Sequence, residues 1–478
     1  MPRNTDPLLS LPDSAGVLYV RLYQYLRALI LQGRWSPGTR LPSSRQLAAD
    51  LGISRNTASM AIDQLLADGW IETRSRSGTF VTDAVPLVAG STPSGKRDSE
   101  GVHRFPVPFE LSPGALDLFP FARWAKLQAQ VWARRSVDLL YQTDSAGDPG
   151  LRRAIADVVG PVRGFSASPD NVIIVTSTLS AYDLIAAALG PGGTVVVEDP
   201  GYIFADAVFA KRGLKVVPVP VDEHGLDVEA GRRLAPEPAL IVTSVTQFPM
   251  GIAMSTTRRE QLQSWAADTG AWIIVDDYDG TARFDGPPRL AGLGEFHDTE
   301  RVIHVSSFSR VLFRSLRLGF MTVPPTLRRS VIAAREAVEG FVTLPDQLVL
   351  REFIERGLLS AHQRLSREAH QPRRDALLEL LEPYRGTLFE AGVNPRGLHI
   401  VARPRGVPSE AIASALRQSG ITCTTLAQLS RATSAPDAIV FGFAAFPPEV
   451  IAAMRPAIDR ALEPLVVLAA EDRRRAGR

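Results

Sequence analysis

Short apolar runs alternate with helical patterns from about residue 110 to the end of the chain, and this alternation limits the folds available to it. It is typical of a mostly parallel sheet covered by helices. The candidate strands are Val172–Thr176, Thr194–Glu198, Leu240–Thr243, Trp272–Asp276 and Val302–Val305. We therefore predict an α/β domain over residues 110–478, with its ligand at the carboxyl ends of the strands.

Polar clusters follow three of these runs, at the strand ends where such a ligand would lie. They are Asp199–Tyr202, Asp276–Asp279 and Ser306–Arg310. Acidic residues and Gly-Pro turns are ordinary loop chemistry after a strand, so each cluster alone is weak evidence. Their coincidence at successive strand ends favours a binding site.

Residues 1–81 show a different pattern, of three helices followed by a hairpin. Leucines at helical spacing predict a first helix over residues 22–30. A second helix begins at Ser43, where Gln46 completes a capping-box pattern, and Ser54 caps a third. Residues 71–81 are typical of a hairpin with a glycine-containing turn. This order describes a winged helix-turn-helix, mainly α, whose third helix enters the major groove of DNA.

The DNA contacts are assigned by side-chain chemistry. Arg pairs with guanine and Asn with adenine, Ser and Thr suit phosphate or base, and second-helix residues set the register on phosphates. The assigned residues are Arg40, Ser44, Arg45, Ser54, Arg55, Asn56, Thr57, Arg74 and Arg76. Nine Arg and six Asp or Glu give this segment a charge of +3, which leaves −1 for the rest of a +2 chain. The alternative is a small helical subdomain in which these side chains only cap helices.

The two patterned segments are separated by a stretch of different composition. Residues 82–105 are rich in Ser, Pro, Gly and Thr and have no apolar period, which predicts a flexible linker over residues 82–109. A long surface loop is the alternative, although loops of this length are uncommon inside compact domains. We therefore divide the chain into residues 1–81, 82–109 and 110–478.

The composition excludes several classes of protein. Of the 478 residues, 45% are hydrophobic and 22% charged, as in ordinary globular domains. No run of eighteen apolar residues and no secretory apolar core is present, so we expect a cytoplasmic protein without a membrane partner. Cys423 is the only cysteine, so no intramolecular disulfide can form, which fits a reducing interior.

Both segments resemble known families. The string PGTRLPSSRQLAADLGISRNTASMAIDQLLADGWIETRSRSGTFV is similar to the DNA-binding domain of GntR-type regulators. The large segment resembles fold-type I pyridoxal-phosphate enzymes, and in particular the aminotransferase-like domain of MocR-type regulators, which is fused to such a DNA-binding domain. The strings that carry this likeness are YQTDSAGDPGLRRAI, VVVEDPGYIFADAVF, PVDEHGLDVE, TQFPMGIAMS, WIIVDDYDG and SSFSRVLFRSLRLGF. The resemblance implies a homodimer, a double-stranded DNA operator and a small-molecule effector.

The resemblance also assigns a cofactor or effector pocket. Asp276 matches the carboxylate that pairs with the pyridine nitrogen of pyridoxal 5′-phosphate, and Tyr278 matches the residue beside its phenolic oxygen. Ser307 and Arg317 match phosphate ligands, and Tyr202 matches an aromatic ring near the cofactor. The full set is Ser177, Tyr202, Asp276, Tyr278, Ser307, Arg310 and Arg317. The alternative for each is loop capping or a surface ion pair.

One position departs from the family in a way that changes the chemistry: Arg310 stands where the family has its Schiff-base lysine. Lysine attacks the aldehyde as a free amine, whereas a guanidinium stays protonated. The chain has four lysines, and none follows the 302–305 strand; they are Lys96, Lys126, Lys211 and Lys215. We therefore assign no catalytic residue and no metal site, and expect pyridoxal phosphate to bind non-covalently or not at all.

Three further motifs depart from the family pattern. The phosphate loop Thr178–Ser180 is one residue short and lacks the glycine that lets backbone amides approach a phosphate. Thr246 replaces a histidine, and Ile439–Ala444 lacks the arginine with which many relatives hold a substrate carboxylate. These changes indicate a remodelled site.

Arg310 has two interpretations. It pairs with an anionic ligand (a carboxylate, a phosphate or non-covalent pyridoxal phosphate), or it forms a salt bridge with Asp276 or Asp277 and closes the pocket. We favour the first, and predict a DNA-binding transcriptional regulator that senses a small anionic or amino-acid-like ligand. The rivals are an active aminotransferase with an attached DNA-binding domain, which Arg310 argues against, and a ligand-independent repressor whose large domain only holds the dimer together.

Overall fold

In the computed structural model the chain divides into two units. The model describes residues 18–31, 34–74, 77–82, 107–111, 114–141, 144–163, 165–278, 300–338, 340–392, 396–431 and 436–476. Among these, residues 18–82 and 117–129 belong to the first unit, and residues 107–116 and 130–476 to the second. Residues 83–106, which make up most of the predicted linker, lie outside the described residues, so the predicted domain limits stay predictions.

The first unit contains the predicted three helices and hairpin. Its elements are α1 (Leu18–Leu31), α2 (Ser44–Leu51), α3 (Arg55–Ala67), β1 (Ile71–Arg74) and β2 (Gly78–Val81), and α4 (Phe121–Ala133) contributes residues to both units. The strands pair antiparallel, with Ile71 opposite Val81. The apolar faces of the helices bury one core, which includes Leu22, Leu26, Leu47, Ala58, Ile62, Leu65 and Trp70. The prediction of a winged helix-turn-helix is confirmed.

The helix ends follow from the capping residues, with one difference from the prediction. Ser43 and Ser54 accept hydrogen bonds from the backbone amides of Gln46 and Thr57, so both N-caps form. The predicted capping box at Ser43 is wrong, because the Gln46 side chain donates to Asp50 at 2.7 Å. Asp50 lies one turn further along the helix, and a residue at i+4 competes well for an amide side chain.

The second unit is built on a large mixed sheet. Its strand order is β3-β10-β9-β8-β7-β4-β5-β6, for β3 (Val172–Val175), β4 (Thr194–Asp199), β5 (Lys215–Asp222), β6 (Gly225–Leu226), β7 (Leu240–Ser244), β8 (Trp272–Asp277), β9 (Val302–Ser307) and β10 (Gly319–Thr322). Neighbours from β5 through β4, β7, β8 and β9 pair parallel, whereas β10 and β6 pair antiparallel. All five predicted strands form, and the α/β class is confirmed.

Helices cover this sheet and lead into a smaller one. The helices are α5 (Pro149–Ala154), α6 (Gly160–Arg163), α7 (Thr178–Leu189), α8 (Ala205–Lys211), α9 (Val228–Leu234), α10 (Thr256–Thr269), α11 (Pro325–Glu336), α12 (Leu344–Glu355), α13 (Leu358–Leu381), α14 (Ser409–Gln418), α15 (Pro448–Ala452) and α16 (Arg455–Ala476). A π-helical turn, Ile155–Val159, joins α5 to α6. Among the described helices, none combines the length and hydrophobicity needed to cross a membrane.

The smaller sheet is antiparallel and has its own core. Its order is β11-β12-β14-β13, for β11 (Phe389–Gly392), β12 (His399–Pro404), β13 (Thr424–Thr425) and β14 (Ile439–Gly442). Ile400, Phe441, Leu416 and Leu462 are buried together there with no exposed surface. We refer to strands β11–β14 with α14–α16 as the C-terminal subdomain.

Gly231 tests how closely α9 and α10 pack. A Cβ at this position would lie 2.7 Å from two ring carbons of Trp265, whose side chain is fully buried. On an open helix Gly→Ala stabilises by about 1 kcal/mol, but overpacking costs about 1–3 kcal/mol and the rigid ring has no room to move. We expect Gly231→Ala to lower the free energy of unfolding, measured by denaturant titration. The exposed neighbour Glu229→Ala is the control, and an equal effect of both would contradict close packing.

Candidate functional site

The N-terminus of α3 presents the predicted base-reading residues. The Ser54 hydroxyl accepts from the Thr57 amide at 3.0 Å and lies 2.7 Å from the Thr57 hydroxyl, so both hydroxyls serve the helix cap. Arg55 and Asn56 are exposed, and the Asn56 amide makes only a 3.9 Å contact with the sulfur of Met60. Arg55 and Asn56 are therefore the members of this set best placed to meet base edges.

The other described residues assigned to DNA contacts lie on α2 and at the hairpin. Ser44 and Arg45 form the first turn of α2, and Arg40 lies beside the hairpin, where a Cβ on Gly78 would come within 2.9 Å of its Nε. Arg74, at the end of β1, pairs with Glu72 at 2.8 Å and lies 4.9 Å over the ring of Phe80. Arg76 lies outside the described residues.

Strand register brings the predicted pocket residues to one edge of the large sheet. Asp277 of β8 is opposite Ser306 of β9, and Ser307 is opposite Gly319 of β10, which is opposite Val175 of β3. Ser177, Tyr278 and Arg310 follow the ends of β3, β8 and β9. Arg317 precedes the start of β10, and Tyr202 follows the end of β4, which pairs parallel with β7. The prediction that these clusters share one edge of the sheet agrees with this register.

Asp276 is buried and only half satisfied. The Tyr182 hydroxyl donates to its Oδ2 at 2.9 Å, while Oδ1 has no hydrogen-bond partner among the described residues. Burial raises the pKa of Asp276 to about 7; Asp277 adds to the rise, and the Tyr182 hydrogen bond and Arg310 oppose it. A buried carboxyl with a free oxygen and a pKa near neutrality can accept from or donate to a ligand.

Asp277, the next residue, is neutralised from elsewhere. Arg163 at the end of α6 forms an ion pair with it at 2.8 Å and also bonds the Ser306 hydroxyl, and both charged side chains are almost fully buried. The Ser306 hydroxyl in turn donates to the Asp277 carbonyl at 2.8 Å. Asp277 therefore has no need of Arg310.

Arg310 forms no ion pair with any residue that the structure describes. Its guanidinium lies 4.7 Å from the ring centre of Tyr278 and 5.8 Å from that of Phe248, a cation–π arrangement. The interpretation in which Arg310 is bonded to Asp276 or Asp277 and closes the pocket is not supported by these contacts. A guanidinium held on aromatic faces keeps its N–H donors available to an anion.

Two serines of the predicted pocket already bond to the backbone. The Ser177 hydroxyl caps α7 by accepting from the Ser180 amide at 3.1 Å, and the Ser307 hydroxyl accepts from the Ser309 amide at 3.0 Å. Arg317 is exposed, with a left-handed backbone at φ 53°. A serine hydroxyl that accepts from an amide keeps its own proton to donate, so these hydroxyls can still serve an anion as donors.

The pKa of Tyr202 depends on the charged groups of this pocket. Burial raises its pKa, Asp276 adds to the rise, and Arg310, Arg314 and Arg317 oppose it. Arg314, which is exposed and was not identified from the sequence, therefore lies close enough to act on the same hydroxyl.

Apolar side chains of the C-terminal subdomain pack against Phe248, one of the two rings beside Arg310. Phe248 forms a cluster with Val401, Val440 and neighbouring leucines, and Tyr278 packs against it. The segment Ile439–Ala444 supplies Val440 to this buried cluster. His399 meets Phe248 edge-on at 5.7 Å, and burial lowers the pKa of His399 to about 4, so the ring is neutral at pH 7.

Comparison with known proteins assigns the family. Residues 18–81 match the model of bacterial regulatory proteins of the gntR family, and residues 107–435 match aminotransferase class I and II. The chain is 33% identical over 459 residues to the probable rhizopine catabolism regulatory protein MocR of Rhizobium meliloti, covering 92% of each. The chain belongs to the MocR-type regulators. It is also similar to the transcriptional regulator TauR of Rhodobacter capsulatus, at 31% identity over 86% of this chain and 89% of TauR. The pyridoxine biosynthesis regulator PdxR of Corynebacterium glutamicum is 28% identical over 91% of this chain and 94% of PdxR.

The second unit of this MocR-type chain has the aminotransferase fold. It is similar to the α-aminoadipate aminotransferase LysN of Thermus thermophilus, with a TM-score of 0.67 at 22% identity over 76% of this chain and 93% of LysN. An archaeal alanine:glyoxylate aminotransferase gives 0.68 at 23% identity over 75% and 91%. At this level of identity the likeness concerns the fold alone.

The raised pKa of Asp276 predicts a pH-dependent stability. Its folded pKa of about 7 exceeds the ordinary 3.8, so the folded state binds the proton more tightly. The stabilisation is complete below about pH 4 and is lost as pH rises to about 7, by up to about 4 kcal/mol. Asp276→Asn should lack this contribution, so the difference in free energy of unfolding between wild type and variant should change across pH 4–7. A constant difference would mean that Asp276 has an ordinary pKa.

Proposed function

We propose that this chain is a DNA-binding transcriptional regulator whose second unit binds a small anionic or amino-acid-like ligand without a covalent bond. The proposal rests on the environment of Arg310. Its guanidinium lies on two aromatic rings and makes no ion pair within the described part of the chain. Next to it, Asp276 keeps one buried oxygen without a partner. An unpaired cation and an unpaired acceptor in one pocket favour a ligand that supplies an anion and a donor.

In this proposal Arg310 occupies the position of the family's Schiff-base lysine, and the second unit is therefore not an enzyme. A guanidinium keeps its proton and is no nucleophile. The lysines of the described residues are exposed: Lys126 lies on α4, Lys211 ends α8, and Lys215 pairs with Thr194 at the opposite end of β4 from Asp199. An active aminotransferase is therefore disfavoured.

Pyridoxal phosphate fits the pocket as a non-covalent ligand. The unpaired oxygen of Asp276 suits a protonated ring nitrogen, Arg317 and Ser307 suit the phosphate, and Tyr202 and Tyr278 supply aromatic neighbours. When bound, the cofactor offers an electron-withdrawing ring and an aldehyde. Arg310 offers no free amine that could bond to that aldehyde.

Regulation would then follow from differential binding. A ligand that favours one conformation of the second unit shifts the population of that conformation. Dimerisation, which we propose from family membership, would let two DNA-binding units contact two half-sites and gain affinity through effective concentration. A second candidate, a ligand-independent repressor with the large domain as scaffold, is favoured by the missing glycine at Thr178–Ser180.

Arg310→Lys tests the ligand site and the lost chemistry together. With pyridoxal 5′-phosphate we expect wild-type protein to shift the cofactor absorbance but to carry no adduct after borohydride reduction. The Arg310→Lys variant should gain an adduct, because lysine supplies the missing amine; mass spectrometry under denaturing conditions measures both. Arg301→Lys is the matched control, since Arg301 also lies over an aromatic ring, Trp272, at 5.7 Å. A fixed adduct on wild-type protein would overturn non-covalent binding, and no band or thermal shift with pyridoxal phosphate, phosphate or dicarboxylates would favour the scaffold.

Arg55→Ala tests the DNA-reading helix. The fragment is selected by wild-type protein from random-sequence DNA, and affinity is measured by fluorescence anisotropy at fixed salt. A lost base contact should cost about 1–3 kcal/mol, roughly a five- to 150-fold weaker affinity. The exposed Arg34→Ala, outside the assigned set, controls for loss of one positive charge. Unchanged affinity in Arg55→Ala, or an equal loss in Arg34→Ala, would mean that the recognition helix is wrongly assigned.

A further inference from the structure

Arg431 ties the C-terminal subdomain to the loop that carries Tyr202. It follows a 3₁₀ turn, Leu426–Leu429, and its guanidinium pairs with both carboxylate oxygens of Asp206, at 2.7 and 2.5 Å. The same guanidinium donates to the carbonyls of Glu198 at 2.9 Å and Tyr202 at 3.2 Å. Every nitrogen of the side chain therefore has a partner on this loop.

Backbone contacts strengthen the tie. The Arg431 amide donates to Asp199 Oδ1 at 2.8 Å, and the Gly201 amide donates to the Leu429 carbonyl at 2.9 Å. A Cβ on Gly201 would lie 2.3 Å from the Glu198 carbonyl oxygen, so the loop turns too tightly to admit another residue there. The turn before Tyr202 is thus fixed from the subdomain side.

The other side of the loop is fixed by a buried carboxylate. Glu198 accepts from the Thr243 hydroxyl at 2.6 Å, from the amide and hydroxyl of Ser244, and at 3.4 Å from Gln247. The Gln247 side chain also donates to the Pro200 carbonyl at 2.7 Å. Residues 198–202 are therefore held between the strand ends of the large sheet and the C-terminal subdomain.

We propose that Arg431 is the positioning residue through which the C-terminal subdomain holds Tyr202 at the ligand pocket, so that ligand binding and the seating of this subdomain are coupled. The proposal rests on the proposed function, because it needs a ligand in the pocket. The subdomain reaches the pocket by a second route, the apolar cluster of Val401 and Val440 on Phe248. A ligand that touches Tyr202 therefore meets a part of the molecule whose position the subdomain sets.

A purely structural role is separated by a matched arginine. Arg258 also bonds a carboxylate, Asp222 at 2.8 Å, and a backbone carbonyl, Leu226 at 2.5 Å, and its side chain is 13% exposed against 11% for Arg431. It joins α10 to the strands β5 and β6, at the far edge of the large sheet from β3. Loss of either guanidinium should therefore cost similar stability, while only one acts on the pocket.

The experiment measures pyridoxal 5′-phosphate binding and thermal midpoint for wild type, Arg431→Gln, Arg431→Lys and Arg258→Gln. We expect both glutamine variants to melt at lower, similar temperatures, and Arg431→Gln alone to bind about tenfold more weakly. Arg431→Lys should fall between, because lysine keeps the charge but not the planar fork. Hydrogen exchange should speed up over residues 198–206 only in the Arg431 variants.

Each outcome separates the two proposals. Wild-type affinity in Arg431→Gln, or an equal loss in Arg258→Gln, would overturn the positioning role and leave the ligand site standing. Full recovery by Arg431→Lys would also overturn it, because charge alone would then suffice. Absence of saturable binding to wild-type protein would overturn the proposed ligand for the pocket, and this proposal with it.

Discussion

The ion pair between Arg163 and Asp277 is the interaction on which the pocket depends. Asp276 and Asp277 are adjacent in β8, so their side chains point to opposite faces of the sheet. The buried carboxylate of Asp277 needs a cation, since breaking a buried pair costs several kcal/mol. Arg163 satisfies Asp277 on one face and leaves Asp276 on the other. Arg310 is therefore not needed to neutralise Asp277.

An arginine at position 310 therefore differs from a lysine in more than its lack of a free amine. Lysine carries a compact charge on a flexible chain, whereas a guanidinium is flat and weakly hydrated and can lie on rings. Tyr278 and Phe248 provide such rings, and both also face the apolar cluster of the C-terminal subdomain. The cation is held in place without being neutralised, which is the condition a binding residue needs.

Much of the fold could be predicted from the sequence because its signals are local. Apolar runs gave the five strands, serine caps gave two helix starts in the first unit, and strand ends gave the edge of the pocket. The features that the sequence did not predict depend on contacts between segments that are distant along the chain. Tyr182 lies in an alanine- and leucine-rich helix and was indistinguishable from core, although its hydroxyl meets Asp276. Arg163 lies more than a hundred residues from Asp277, and no local pattern pairs them. Gln46 shows the opposite case. The Ser43 amide and the Asp50 carboxylate both lie nearby in sequence, and the pattern alone does not tell which of them the Gln46 side chain bonds.

The ring of Phe248, which lies beside Arg310, also determines which ligands the pocket excludes. An acidic group placed against this ring would lose its water and find no donor in return, an unfavourable exchange of several kcal/mol. A molecule with one acidic end is thus oriented by exclusion: its charge turns to the arginine and its hydrocarbon end to the ring of Phe248. A molecule with acids at both ends would have to leave one of them in solvent. Selectivity in this pocket would then come as much from a repelling surface as from an attracting charge.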